Sequence, residues 1–277
     1  MKKPTGPCFR AIATALAITV APVASTAASA HSFWLEPETH TVAAGEEVKV
    51  DFRIGDAGEA QAWGLYWERI ASFRLYGPDG VVDQQMAVRT TGPGEVGSAR
   101  ITAPDAGSYI LAFESTQSFS DLEAARFDAY VADEGLTAIA AHREAIGSNG
   151  RSGTELYSRR AKTLLQVGDA RTGNVTQPIG QTLEIVPLQN PFELGMTQPL
   201  ELKVLWRGEP LAGATLRAVP LDGRSGPITF RTRNNGIVTL PMTPRPMLYS
   251  VVWGVPAPND ARADYITVFA SLTVASQ

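Results

Sequence analysis

The chain has 277 residues, with 28 acidic against 24 basic side chains and a formal net charge of −4. That balance argues against nucleic acid as a partner, because phosphate binding needs clustered Lys and Arg. With one cysteine in the whole chain, Cys8, no disulfide framework can be written.

Residues 1–30 read as a cleavable signal peptide. Lys2, Lys3 and Arg10 form a positive start, Ala11 to Val23 is apolar, and Ala28-Ser29-Ala30 fits the small-x-small cleavage site. The apolar run is shorter than the ~20 residues a spanning helix needs. The expectation is therefore export to the periplasm, with His31 as the first mature residue and no transmembrane anchor after cleavage. Cys8 precedes the apolar run, so it is not a lipoprotein cysteine, and its removal excludes thiolate metal sites and cysteine nucleophiles. Cleavage also takes away three basic residues, moving the formal charge from −4 to −7. The remaining length suits one large or two ordinary domains.

Residues 31–133 read as a β-sandwich of short strands. Val48–Ile54, Ser72–Tyr76, Gly97–Ile101, Tyr109–Glu114 and Arg126–Val131 are the candidates, and Gly77-Pro-Asp-Gly80 is a turn signal. Asp105-Ala-Gly-Ser-Tyr109 has the D-x-G-x-Y form of the tyrosine corner in immunoglobulin-like sandwiches. An ordinary turn before a strand is the alternative.

Residues 134–177 read as a helical linker. Leu136–Ile146 repeats apolar residues at helical spacing, 147–153 is a polar loop, and Thr154 is an N-cap for a second helix to Val167. Glu155 and Arg159 then make an exposed i,i+4 pair, and Arg159, Arg160 and Lys162 a basic helix surface. Residues 178–277 read as a second sandwich. Its strands are Leu183–Pro187, Leu200–Trp206, Ala214–Val219, Ile228–Thr232, Gly236–Leu240, Leu248–Val252 and Tyr265–Val274. Leu202 and Val204 alternate with Glu201 and Lys203 as in a half-buried edge, and Asn234-Asn-Gly236 is a tight turn. The fold class expected is mainly β, with two sandwiches joined by helix.

Five segments carry a family resemblance: His31-Ser-Phe-Trp-Leu-Glu-Pro37, Phe127–Leu136, Glu155-Leu-Tyr-Ser-Arg-Arg-Ala-Lys162, Leu183–Pro191 and Gly208-Glu-Pro-Leu-Ala-Gly213. Together they resemble the DUF4198 family, members of which are also labelled nickel-uptake or cobalt-transport periplasmic components. The resemblance implies an exported protein of immunoglobulin-like and transthyretin-like β-domains. It also implies an accessory role in transition-metal uptake, beside an envelope transporter or outer-membrane receptor. The Tyr249–Trp253 strand lacks the His that related sequences often carry there.

For chemistry the first candidate is His31, whose α-amine and imidazole would chelate one Ni, Co, Cu or Zn ion if cleavage follows Ala30. Such a metal displaces the amine proton, so affinity rises with pH. His40 and His142, the other histidines, are the candidate third ligands. The plainer readings are a residue that marks only the cut, an exposed His40 and a solvated His142 on a helix face. Glu36 and Glu38 offer oxygen ligands, but no spacing matches a zinc or calcium motif. No G-x-S-x-G, H-E-x-x-H or P-loop is present, so the expectation is a non-enzymatic binding protein. A structural or protein-interaction module without metal is the alternative. Phe33, Trp34, Trp63, Tyr66 and Trp67 are read as core packing, with a binding face as the other possibility.

Overall fold

The computed structural model describes Met1 and residues 32–92, 94–257 and 262–275. The signal-peptide reading of residues 2–30 and the candidate ligand His31 lie outside the described residues.

The chain first lays down β1 (Ser32–Pro37), β2 (Thr41–Val42), β3 (Glu47–Asp56), β4 (Glu59–Ala62), β5 (Ile70–Gly77), β6 (Gly80–Asp83), β7 (Val88–Arg89), β8 (Ser98–Thr102), β9 (Gly107–Ser115) and β10 (Ser118–Leu122). Two helices follow, α1 (Ala124–Asp133) and α2 (Thr137–Ala145), and then the 15-residue strand β11 (Gly153–Val167). The remainder is β12 (Leu183–Pro187), β13 (Pro199–Trp206), β14 (Glu209–Pro210), β15 (Thr215–Pro220), β16 (Ile228–Arg231), β17 (Ile237–Pro241), β18 (Met247–Pro256) and β19 (Tyr265–Val274).

Among the described residues these strands form three sheets. The central one has ten strands, its main path running β16-β15-β18-β19-β11-β9-β5-β6. A sheet of β1-β3-β8-β7 with β4 covers one part of it, and a sheet of β12-β13-β14 with β17 covers another. Side-chain parity shows that the two coverings lie on opposite faces. Along β9, Tyr109, Leu111 and Phe113 enter the first core, while Ile110 and Ala112 enter the second. Along β11, Leu165 belongs to the first core and Leu164 to the second. Successive side chains of a strand point to opposite faces, so β9 and β11 are buried on both. Residues 107–113 of β9 are all buried for that reason.

The two sandwiches are therefore not joined by a helical linker; they share one sheet. The expected helix over Thr154–Val167 is strand β11, paired parallel with β19 and antiparallel with β9 and β10. Its composition favours helix, but pairing on both edges overrides so weak a preference. Thr154 caps no helix; its N–H and hydroxyl donate to Asp264 Oδ2 at 3.0 and 2.7 Å. The expected strand Arg126–Val131 is part of α1. Its buried Phe127, Tyr130 and Val131 stand at i, i+3 and i+4, a helical stripe set among good helix-forming alanines. The helix expected over Leu136–Ile146 forms as α2. Both helices bury against Val252 of β18 and Tyr265 of β19, on the face that also carries the β1-β3-β8 sheet.

Several sequence signals are realised in detail. The Tyr109 hydroxyl donates to the Asp105 carbonyl at 2.8 Å, the bond that defines a tyrosine corner. Gly236 holds φ +76° in its turn. β13 alternates as expected, but it lies between β12 and β17 rather than at an edge.

Candidate functional site

On one face of the central sheet, the β1-β3-β8 sheet and the two helices lie side by side and leave a cleft between them. Its volume is about 710 Å³, within the ~300–1,000 Å³ range of ligand pockets. Arg217 and Val219 of β15 and Leu248 and Ser250 of β18 form the floor. The register explains this: Leu216, Ala218, Tyr249 and Val251 face the second core, so their neighbours in sequence must face the cleft. The walls are the β3–β4 hairpin (Asp56–Glu59), the end of α1 (Asp133, Glu134), the loop from Asp222 to Pro227, and Ser32 of β1.

Among the described residues five carboxylates line the cleft, Asp56, Glu59, Asp133, Glu134 and Asp222, against one basic residue, Arg217. Arg217 is committed. Its guanidinium donates to the Glu134 carboxylate and to the Asp133 carbonyl. Burial pushes the Glu134 carboxyl up from its usual range, and Arg217 opposes that shift. Asp222 moves the other way, held down by the Arg224 backbone N–H and by Arg245 nearby.

A glycine contact joins two walls of the cleft. Gly58 at the hairpin tip and Gly223 in the opposite loop adopt φ of +85° and +65°, and a Cβ on Gly58 would sit 2.6 Å from the Gly223 Cα. Only two residues without side chains can approach so closely in that conformation. The hairpin of one sandwich thus rests on a loop of the other.

Two of the predicted metal ligands, His40 and His142, are not brought together. His40, expected to be exposed, is buried, and its Nδ1 donates to the Leu164 carbonyl at 2.8 Å. Burial lowers its pKa below the ordinary 6.5, with the hydrogen bond opposing. His142 is half-buried rather than solvated, its Nδ1 3.4 Å from the Tyr265 hydroxyl. Tyr265 pairs with Glu155, at the far end of β11 from Leu164. Nine residues of strand at ~3.3 Å each put the two imidazoles on the order of 30 Å apart, so they cannot share an ion. Among the described residues no three His, Cys, Asp or Glu side chains group as a metal site. His31 is outside the described residues, but Ser32, its neighbour in sequence, lines the cleft and makes a 3.4 Å hydroxyl contact with Ser250.

The other sequence candidates also find their places. Phe33 and Trp34 are core, Trp63 packs against that core, and Tyr66 and Trp67 are exposed. Arg159 and Lys162, expected on a helix surface, are buried on β11. Lys162 Nζ donates to Glu184 Oε1 at 2.9 Å, and Glu184 also accepts the backbone N–H groups of Ile179, Gly180 and Gln181. Glu155 is no exposed helix partner of Arg159; it accepts from Tyr130 and Thr267 hydroxyls inside the protein. The cleft itself has no signature in the sequence, because its carboxylates come from separate segments and share no local spacing.

No helix among the described residues is long and apolar enough to cross a membrane. No curated protein matches the chain. Solved structures with some likeness include the D0-D1 domain of intimin, at 14% identity and a TM-score of 0.24, covering 88% of this chain and 97% of that one. The human OSCAR ligand-binding domain matches at 13% identity and 0.21, covering 88% and 98%. Latent PorU from Porphyromonas gingivalis matches at 10% and 0.22, over 89% of this chain but 20% of its own. These values are too low to build on. A family model described as a domain of unknown function, DUF4198, matches residues 28–251, and the chain belongs to that family.

Proposed function

We propose that the mature chain is an exported, non-enzymatic binding protein of the bacterial envelope that holds a cationic ligand in the junction cleft. The observation that carries this reading is the excess of carboxylates there: of the five, Glu134 is paired with Arg217 and Asp222 lies beside Arg224 and Arg245, which leaves Asp56, Glu59 and Asp133 as the free acidic side chains of the lining. A cleft lined mainly by carboxylates raises the local concentration of cations. The signal-like leader and the absence of recognised catalytic motifs in the sequence support the export and the non-enzymatic role.

A second reading, a transition-metal accessory, is favoured by the position of Ser32 in the cleft. Cleavage before His31 would leave a free amine and an imidazole on the residue that precedes Ser32, and amine plus imidazole suits Ni, Co, Cu or Zn. His40 and His142, on the order of 30 Å apart by strand length, cannot both join it. Calorimetric titration of protein beginning at His31 separates the two. Spermidine binding that weakens with salt and falls in Asp222→Asn/Glu59→Gln supports the cationic-ligand reading. Tight Ni²⁺ or Cu²⁺ binding lost in His31→Ala supports the chelate. Silence in every titration rejects both.

A further inference from the structure

Strand β16 is one end of the central sheet, and no strand pairs with its outer edge among the described residues. Its four residues are exposed or half-exposed, with Ile228 at 61%. Just past the strand, the Thr232 N–H donates to the Ala214 carbonyl at 3.0 Å, which makes Ala214 and Thr232 a hydrogen-bonded pair. Such pairs alternate along an antiparallel ladder. Leu216–Phe230 and Ala218–Ile228 therefore exchange bonds across the ladder, while Thr229 and Arg231 turn their backbone N–H and C=O outward. This is an open template for another strand.

The two faces beside that edge differ in chemistry. Thr229 stands opposite Arg217, on the face of the acidic cleft. The cleft wall from Asp222 to Pro227 leads directly into the strand. At the other end, Arg231 borders a second hollow of about 340 Å³ against Leu136 and Ala140 of the helical region. On the opposite face, Phe230 packs on the second core and Ile228 is left uncovered.

We infer that β16 is a strand-addition site for an extended segment of a partner protein in which apolar and basic residues alternate. The alternation follows from the pleat: one set of side chains covers Ile228, and the other set reaches the cleft carboxylates. Charge complementarity argues against a second copy of this chain, whose own β16 offers one basic residue, Arg231, already donating to the Gly213 carbonyl at 2.8 Å. The inference rests on the cationic-ligand reading of the cleft and names the ligand as a peptide.

The test uses the mature chain and a fluorescent eight-residue peptide alternating valine and lysine, followed by anisotropy. Thr229→Pro removes an outward N–H and leaves the ladder to β15 intact, since proline is tolerated on that side of an edge strand. Its fold is checked by circular dichroism. A second peptide, N-methylated at alternate residues, tests the same backbone bonds with the protein unaltered. Binding that falls about tenfold or more in Thr229→Pro and with the methylated peptide supports strand addition, the loss matching one or two hydrogen bonds. Equal binding by both peptides, with loss only in Asp222→Asn/Glu59→Gln, overturns strand addition and leaves the cleft as a simple cation site. No binding of the peptide while spermidine still binds overturns the inference alone; failure of both ligands overturns the cleft reading with it. A doubled mass in sedimentation that Thr229→Pro abolishes assigns the edge to a second copy, which also overturns it.

Discussion

His40 shows how far a single residue can depart from its sequence setting. It sits among polar neighbours, yet its ring is buried and donates to the Leu164 carbonyl. Burial is the larger influence on it and keeps its folded pKa below 6.5. The unfolded chain therefore binds a proton first as pH falls. The stability His40 contributes is complete above about pH 6.5 and is lost between there and its folded pKa. Glu134 and Glu155, whose pKa values burial raises, act in the opposite sense and favour folding as pH drops. The expected result is a urea midpoint that declines below about pH 6.5 in the natural chain, and a smaller decline in His40→Gln, which keeps a donor for Leu164. Identical pH profiles for the two proteins would remove His40 as the cause.

Strand β11 is the element whose structure departs furthest from its sequence pattern, and the departure has a physical source. Glu155, Arg159, Arg160 and Lys162 read as a solvated helix because charged side chains are rarely buried unless paired. Here the partners are supplied from far along the chain. Lys162 has Glu184 of β12, Arg160 has Glu114 of β9 at 3.3 Å, and Glu155 has Tyr130 of α1. No window of sequence around β11 contains them. Strands whose pattern is local, such as β3 with Val48, Val50 and Phe52 facing inward, were legible because the alternation itself encodes the buried face. The cleft was illegible for the same reason as β11: its residues run from Ser32 to Ser250 and meet only through the sheet. The buried Lys162–Glu184 pair gives the sharpest test of β11. Lys162→Met leaves the Glu184 carboxylate buried without its cation, which costs about 3–5 kcal/mol. Chemical denaturation should show that loss. A change below about 1 kcal/mol would mean that the three backbone N–H donors alone satisfy Glu184.

At the scale of the molecule, the shared sheet changes what a domain means here. Two separate sandwiches on a helical tether would unfold independently, each losing only its own core. In this chain β9 and β11 contribute alternate side chains to both cores, so neither core can lose those strands without exposing the other. The Gly58–Gly223 contact adds a second tie between the halves. Leu164 and Leu165, adjacent in sequence and both essentially fully buried, probe the coupling because they point into opposite cores. Either residue changed to Ala is expected to cost about 2–5 kcal/mol. The distinguishing feature is the shape of the transition. Scanning calorimetry should give one peak in the natural chain and in both variants, shifted as a whole, with calorimetric and van't Hoff enthalpies equal. Two peaks, of which Leu164→Ala lowers one and Leu165→Ala the other, would show that the sandwiches fold separately and that the continuous sheet does not bind them into one cooperative unit.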